Sequence, residues 1–88
     1  MDVTLWPMAN IKPYDGNPRH NEQAVEAVAR SIQEFGFRQP IVVDEHGVII
    51  VGDTRHKAAQ RLGLTEVPVH IAAGLTPAQA KAYRLADN

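Results

Sequence analysis

Val48-Ile49-Ile50-Val51-Gly52-Asp53-Thr54-Arg55-His56-Lys57-Ala58-Ala59 carries both the fold class and the chemistry of this 88-residue chain. Four consecutive β-branched residues read as a buried strand. After Gly52 the pattern turns helical, with Ala58, Ala59 and Leu62 inward and Gly63 as the stop. A strand that leaves through glycine into a helix start gathers free backbone N–H groups and the positive end of the helix dipole at one spot. Such a spot favours an anion such as phosphate, and glycine lets a ligand approach the backbone. From Asp53 to Arg61, the three cations Arg55, Lys57 and Arg61 stand against Asp53 alone, a local charge of +2 in a chain of net charge −1. Arg55 is the residue best suited to a forked contact with phosphate oxygens. The competing structural account makes Asp53 or Thr54 an ordinary N-cap and puts Lys57 and Arg61 on a solvated helix face.

Upstream, Pro40 opens Ile41-Val42-Val43, and Asp44-Glu45-His46-Gly47 then turns the chain into Val48–Val51. This predicts a β-hairpin with Gly47 at a positive-φ turn position and both strands buried, as at the centre of a sheet. Before it, Val25, Val28, Ala29, Ile32 and Phe35 recur on one helical face. The spacing predicts a helix over Glu22–Phe35, capped by Asn21 and stopped by Gly36 in the αL conformation. Earlier still, Lys12-Pro13-Tyr14-Asp15-Gly16-Asn17-Pro18 reads as a shaped loop, and Val3-Thr4-Leu5-Trp6 as a short β-prone run ended by Pro7. Downstream, Val67, Val69 and Ile71 alternate with Pro68 and His70, predicting a half-buried edge strand that tolerates a proline. A third helix follows, with a capping box of Thr76 and Gln79, Pro77 at its first position, and Ala80, Tyr83 and Leu85 on one face. The chain reaches Asn88 with no stop signal, so residues 1–88 are expected to be a single domain from the amino-terminal part of a longer protein.

Composition narrows the function. Nine Lys and Arg against ten Asp and Glu give no global attraction to nucleic acid or acidic membranes, so any polyanion site must be local. No stretch approaches the roughly 18 apolar residues of a membrane span. Zero cysteines exclude a disulfide framework, a thiolate nucleophile and Cys-ligated zinc. The start of the chain lacks a signal-peptide pattern, and the expectation is a cytoplasmic protein. His20, His46, His56 and His70 have no paired zinc-type spacing and are read as mostly surface residues. Asp44 and Glu45 could pair as nuclease acids, but carboxylates in a hairpin turn are usually only solvated. Ser31, in mid-helix, has no nucleophile context.

The order Asn17-Pro18-Arg19, Ser31-Ile32, Gly36-Phe37-Arg38-Gln39-Pro40-Ile41-Val42-Val43, Gly52-Asp53-Thr54-Arg55-His56-Lys57-Ala58-Ala59, Leu62-Gly63 and Val67-Pro68 resembles the ParB amino-terminal domain, of the ParB/sulfiredoxin superfamily. The resemblance covers nearly the whole chain and rests on order and spacing together. With Leu75-Thr76 and the closing Ala82-Tyr83-Arg84-Leu85-Ala86-Asp87-Asn88, the chain is most similar to ParB-like domains fused ahead of DNA methyltransferases in phage and prophage proteins.

The resemblance implies an α/β fold, a small mixed β-sheet packed with about three helices, and a nucleotide pocket built from separated segments. In ParB partition proteins a Gly-Glu-Arg-Arg box holds the triphosphate of CTP; Gly52, Asp53, Thr54, Arg55 and His56 occupy it here. The family's base-and-sugar segments point to Asn17, Arg19, Gln39 and Pro40. Its Glu-Asn pair, which helps hold phosphate and magnesium, is matched by Asp87 and Asn88. Thr54 replaces the first arginine of the box and Asp53 its glutamate, which bears on hydrolysis, where Asp53 is the tentative catalytic group, more than on phosphate binding. Sulfiredoxins carry a catalytic cysteine at the place of Asp53, so sulfinic acid reduction is excluded. The expected function is a nucleotide-binding module, of the CTP or ATP class, in a DNA-acting protein such as a partition protein or DNA methyltransferase. It would use magnesium and meet DNA through the full-length protein, with a homodimer left open. The alternatives are a ParB-like nuclease or phosphodiesterase, and a structural docking domain without ligand; weak triphosphatase activity is left open.

Overall fold

The structure, a computed structural model, describes residues 1–16 and 21–87. Strand β1 (Thr4–Pro7) and a 3-10 turn (Met8–Asn10) precede helix α1 (Glu22–Phe35); β2 (Ile41–Val43), β3 (Ile49–Val51), α2 (Asp53–Arg61), β4 (Glu66–Ile71) and α3 (Pro77–Asp87) follow. The strands form one mixed sheet in the order β1-β4-β2-β3, with β2 parallel to β4 and the other two pairings antiparallel.

Local signals set the helix ends. The Ala24 N–H donates to the Asn21 side chain at 3.1 Å, which caps α1 as the sequence predicts. Gly36 ends it with φ 86° but ψ 170°, so the stop is a positive-φ residue with extended ψ rather than αL. At α3 the capping box closes in both directions: Thr76 N–H donates to Gln79 Oε1 at 2.9 Å and Gln79 N–H to Thr76 Oγ1 at 3.1 Å.

The core lies between the sheet and α2. Ile11, Ile41, Val43, Ile49, Ala59, Val67 and Val69 form it, flanked by Trp6, Met8, Phe37 and Leu64. Val25, Ala29 and Ala58 pack α1 on α2, with Val28, Ile32 and Leu62 at the margin. Phe35, expected on this buried face, is 61% exposed. Glu22 at the start of α1 pairs with Arg61 at the end of α2, so the helices run antiparallel, and the 14-residue α1 overhangs the nine-residue α2 at its last turn.

Three expectations about faces change. Strand β4 is interior, between β1 and β2, rather than an edge. Pro68 is tolerated because it faces Leu5 of β1 while the ladder to β2 begins only at Val69. Strand β3 is last in the sheet order, yet Ile49 and Ile50 are buried. The segment at Lys12 covers its start, with Lys12 N–H donating to Gly47 O and Ile49 N–H to Lys12 O, each at 2.9 Å. On α3 the buried residue is Ala80, whereas Tyr83 and Leu85 are 41% and 69% exposed. The inward partner of Ala80 is Arg84, one turn on, whose side chain is only 13% exposed.

Candidate functional site

Strand β3 delivers the chain into α2 through Gly52, with φ 106° and ψ 27° and no side-chain cap on the helix. The His56 N–H reaches Gly52 O at 2.9 Å, so Gly52 itself is the N-cap. Neither Asp53 nor Thr54 is the N-cap of α2, contrary to the structural account of this junction, and no side-chain cap bond is made at this helix start among the described residues. A β-carbon on Gly52 would lie 3.0 Å from Arg55 Nη2 and 3.3 Å from Ile41 Cγ1, so the close approach here requires glycine as much as the positive φ does.

The local excess of positive charge is largely cancelled by pairing. Lys57 Nζ meets Asp53 Oδ2 at 2.7 Å, one turn along α2. Arg61 Nη2 meets both carboxylate oxygens of Glu22, at 2.5 and 2.6 Å, at the far end of the helix from the junction. Arg55 remains at the junction as its principal cation. It is half-buried, donating from Nη1 to Gln39 Oε1 at 3.3 Å and from Nη2 to the Pro40 carbonyl at 3.2 Å. Its Nε is buried with no hydrogen-bond partner among the described residues. Burial lowers the guanidinium's pKa, and the Asp87 carboxylate acts in the opposite direction. Arg55 thus joins the helix start to the Gln39–Pro40 segment and retains an unused donor.

Three hollows meet around this point. The first, about 370 Å³, lies over the start of α2 and is lined by Asn21, Gly52, Asp53, Thr54, Arg55, Lys57 and Asp87 together with apolar residues of α1. A second, about 290 Å³, shares Arg55 and Val28 with it and continues past Ser31, Ile32, Phe35, Gly36, Phe37 and Gln39. The third, about 230 Å³, shares Gly52, Asp53 and Asp87 and opens between α3 and Tyr14, Ile49 and Ile50. The fold therefore brings Gln39, Gly52, Asp53, Thr54, Arg55 and Asp87 to one region, with Pro40 joined to it through its carbonyl. Asn17, Arg19 and Asn88 lie outside the described residues, as does His20.

Two readings of polar residues are corrected. His56 is 3% exposed, a core residue rather than a surface one, and lines none of these hollows. Burial pushes its pKa below the ordinary value, while Asp53 favours the cation and Lys57 opposes it. Asp44 is not merely solvated: it accepts from His46 N–H at 2.8 Å, Val48 N–H at 3.0 Å and Arg84 Nη2 at 3.3 Å. Burial works against its ionised form, but these hydrogen bonds hold its carboxyl below the usual value. Among the described residues no group of three His, Asp or Glu could hold a metal ion, and no helix is long and apolar enough to cross a membrane. Sequence reasoning passed over the pocket-lining roles of Asn21, Ser31 and Lys57. For Lys57 the signal was its place one turn after Asp53; for Ser31, its place beside the buried stripe of α1, facing the start of α2.

Comparison with known proteins places this geometry. The family model described as the ParB N-terminal domain matches residues 1–88. The ParB-like nuclease domain-containing protein YnaK of Escherichia coli (strain K12) is 39% identical over 80 residues, covering 90% of this chain and 92% of YnaK. The chromosome-partitioning protein Spo0J of Thermus thermophilus is 34% identical over 91 residues, covering 98% of this chain but 34% of Spo0J. Among solved structures, the C-terminally truncated chromosome-partitioning protein ParB of Caulobacter crescentus complexed with CTP-gamma-S superposes with a TM-score of 0.83 at 27% identity, over 97% of this chain and 51% of that one. The four-stranded mixed sheet with three helices is the ParB/sulfiredoxin-like fold. On sequence, length of match and fold alike, the chain belongs to the ParB N-terminal domain family.

Proposed function

We propose that this domain binds a nucleoside triphosphate, of the CTP or ATP class, with its phosphates at the start of α2. The observation that carries the reading is the Gly52 junction: a helix N-terminus with no side-chain cap, a positive-φ glycine and the half-buried Arg55, whose Nε has no partner among the described residues, all beneath one hollow. The second hollow, with Phe35 and Phe37 at its wall, gives apolar room beyond Arg55 for the base and sugar, beside Gln39. Further support comes from the Caulobacter crescentus ParB structure, which is complexed with CTP-gamma-S. Asp87 lines the phosphate hollow, while the Asp53 carboxylate is held by Lys57. Asp87 is therefore the group to hold magnesium, with Asn88 assigned beside it by family resemblance, and the ion when bound would neutralise phosphate charge. Asn17 and Arg19 are assigned to the same ligand by family resemblance, and His56 supports the junction from beneath.

In this reading the domain is the nucleotide-binding, amino-terminal part of a cytoplasmic DNA-acting protein, a partition protein or a DNA methyltransferase, which would engage DNA through its other segments. The nuclease reading has the name of YnaK in its favour and would need a metal-dependent centre. Calorimetry with CTP, ATP, GTP and UTP, with and without magnesium, tests the proposal. Binding of one of them, weakened roughly 10- to 150-fold by Arg55→Ala as expected for a lost charge-assisted contact, supports it. Absence of binding for all four would favour a domain without ligand, and metal-dependent cleavage of DNA would favour the nuclease.

A further inference from the structure

Helix α3 carries Asp87 to the junction, yet its apolar anchorage is slight. Ala80 is its one buried residue among those described, Tyr83 and Leu85 face outward, and the 230 Å³ hollow lies between its last turns and β3. What holds those turns is Arg84. Its Nε donates to the Ile49 carbonyl at 2.9 Å, and its Nη2 reaches Asp44 Oδ2 at 3.3 Å. Its guanidinium carbon sits 4.3 Å from the centre of the Tyr14 ring, a cation–π distance. Tyr14 is itself wedged, since a β-carbon on Gly16 would stand 2.7 Å from its Cε2. Asp44 in turn orders the hairpin turn by accepting from His46 and Val48. One planar side chain therefore joins α3, the β2–β3 hairpin and the Tyr14–Gly16 loop. The residue three positions on, Asp87, lines both hollows that share Gly52.

We propose that Arg84 is a positioning residue: by clasping these three segments it fixes the Asp87 carboxylate beside the Gly52–Arg55 junction. The ligand-free part of this inference stands on geometry alone, and its effect on affinity rests on the nucleotide reading above. Lysine cannot replace Arg84, because an ammonium has neither the fork that reaches a carbonyl and a carboxylate together nor the flat face that stacks on a ring. A local packing role makes a different forecast: loosening α3 would then leave the hairpin and Tyr14 undisturbed.

The test compares Arg84→Lys, and Tyr14→Leu as a milder second variant, with the parent by NMR and amide exchange in the absence of ligand. The expected result for Arg84→Lys is displaced Tyr14 ring resonances and exchange faster by about tenfold or more at both the Val48 amide and residues 81–87, with α1 and β4 unaffected. Tyr14→Leu should shift the Arg84 Nε–H and Asp87 amide signals in a folded protein. Changes confined to α3 itself, or none, would overturn the proposal. For the nucleotide found by calorimetry, Arg84→Lys should weaken binding about tenfold in the parent and have little further effect when Asp87→Asn is already present. Additive losses would overturn the route through Asp87. Should the parent bind no nucleotide, the functional reading falls, while the clasp is still decided by the ligand-free spectra.

Discussion

At Gly52 two demands meet in one residue, a left-handed backbone and space for the Arg55 guanidinium 3.0 Å from where a β-carbon would be. Gly52→Ala is expected to lose about 1–2 kcal/mol from the positive φ alone, a fall of several degrees in Tm for a domain of this size. Pushing Arg55 aside should lower nucleotide affinity in the same variant. Thermal melts and calorimetry on one preparation check both, and normal melting with parental affinity would remove the junction from the site. His56 gives a pH signature. Burial holds its folded pKa below the unfolded value, so between the two the unfolded chain binds the extra proton. Stability is therefore complete above about pH 6.5 and is lost as pH falls from there toward the depressed folded value. Denaturant midpoints from pH 7.5 to 5 should show that slope, and His56→Leu should reduce it; an unchanged slope would acquit His56.

At the scale of elements, α3 differs from α1 and α2 in what secures it. Helices α1 and α2 bury a shared apolar seam, whereas α3 relies on the Thr76–Gln79 capping box and the Arg84 clasp. Thr76→Ala removes the acceptor of the Gln79 N–H and should cost about 1 kcal/mol. Exchange protection of α3 is expected to fall while that of α1 and the interior strands β2 and β4 changes little. Equal loss everywhere would mean that α3 unfolds only with the whole domain. The same contrast explains why the faces of α3 differ from the sequence expectation. On α3 the periodicity of apolar residues pointed to Tyr83 and Leu85, but polar bonds to the hairpin turn Arg84 inward. The alternation of β4 is present in the structure; its interior position in the sheet depends on where β1 and β2 lie.

For the molecule as a whole, three of the nine Lys and Arg are held in internal ion pairs: Lys57 with Asp53, Arg61 with Glu22 and Arg84 with Asp44. With a net charge of −1 and no broad basic face arising from the junction, residues 1–88 alone should neutralise few phosphates and bind duplex DNA weakly, with a shallow salt slope. Titration of a labelled duplex at several salt concentrations checks this; tight, site-specific binding at physiological ionic strength would contradict it. Full-length relatives have room to do more, since this chain spans 34% of Spo0J.

The sequence by itself determined the elements, their order and the junction, because caps, glycine stops and apolar period are local properties. Asn21, Thr76 with Gln79, Gly47 and Gly52 act within a few residues of themselves, and each does in the structure the kind of work its neighbours imply. The ordered motifs also marked the family, through the Gly52–Ala59 segment and Gln39-Pro40. Tertiary structure alone decided that His56 is buried, that β4 is interior, that Arg55 is bound to the Pro40 carbonyl and that Arg84 clasps the hairpin. The position of β4 and the contacts of Arg55 and Arg84 depend on partners 15 or more residues away, such as Arg55 with Pro40 or Arg84 with Ile49. A charged or polar side chain carries no local mark of such a partner, since its burial is stabilised only once distant carbonyls and carboxylates have been brought within hydrogen-bond reach.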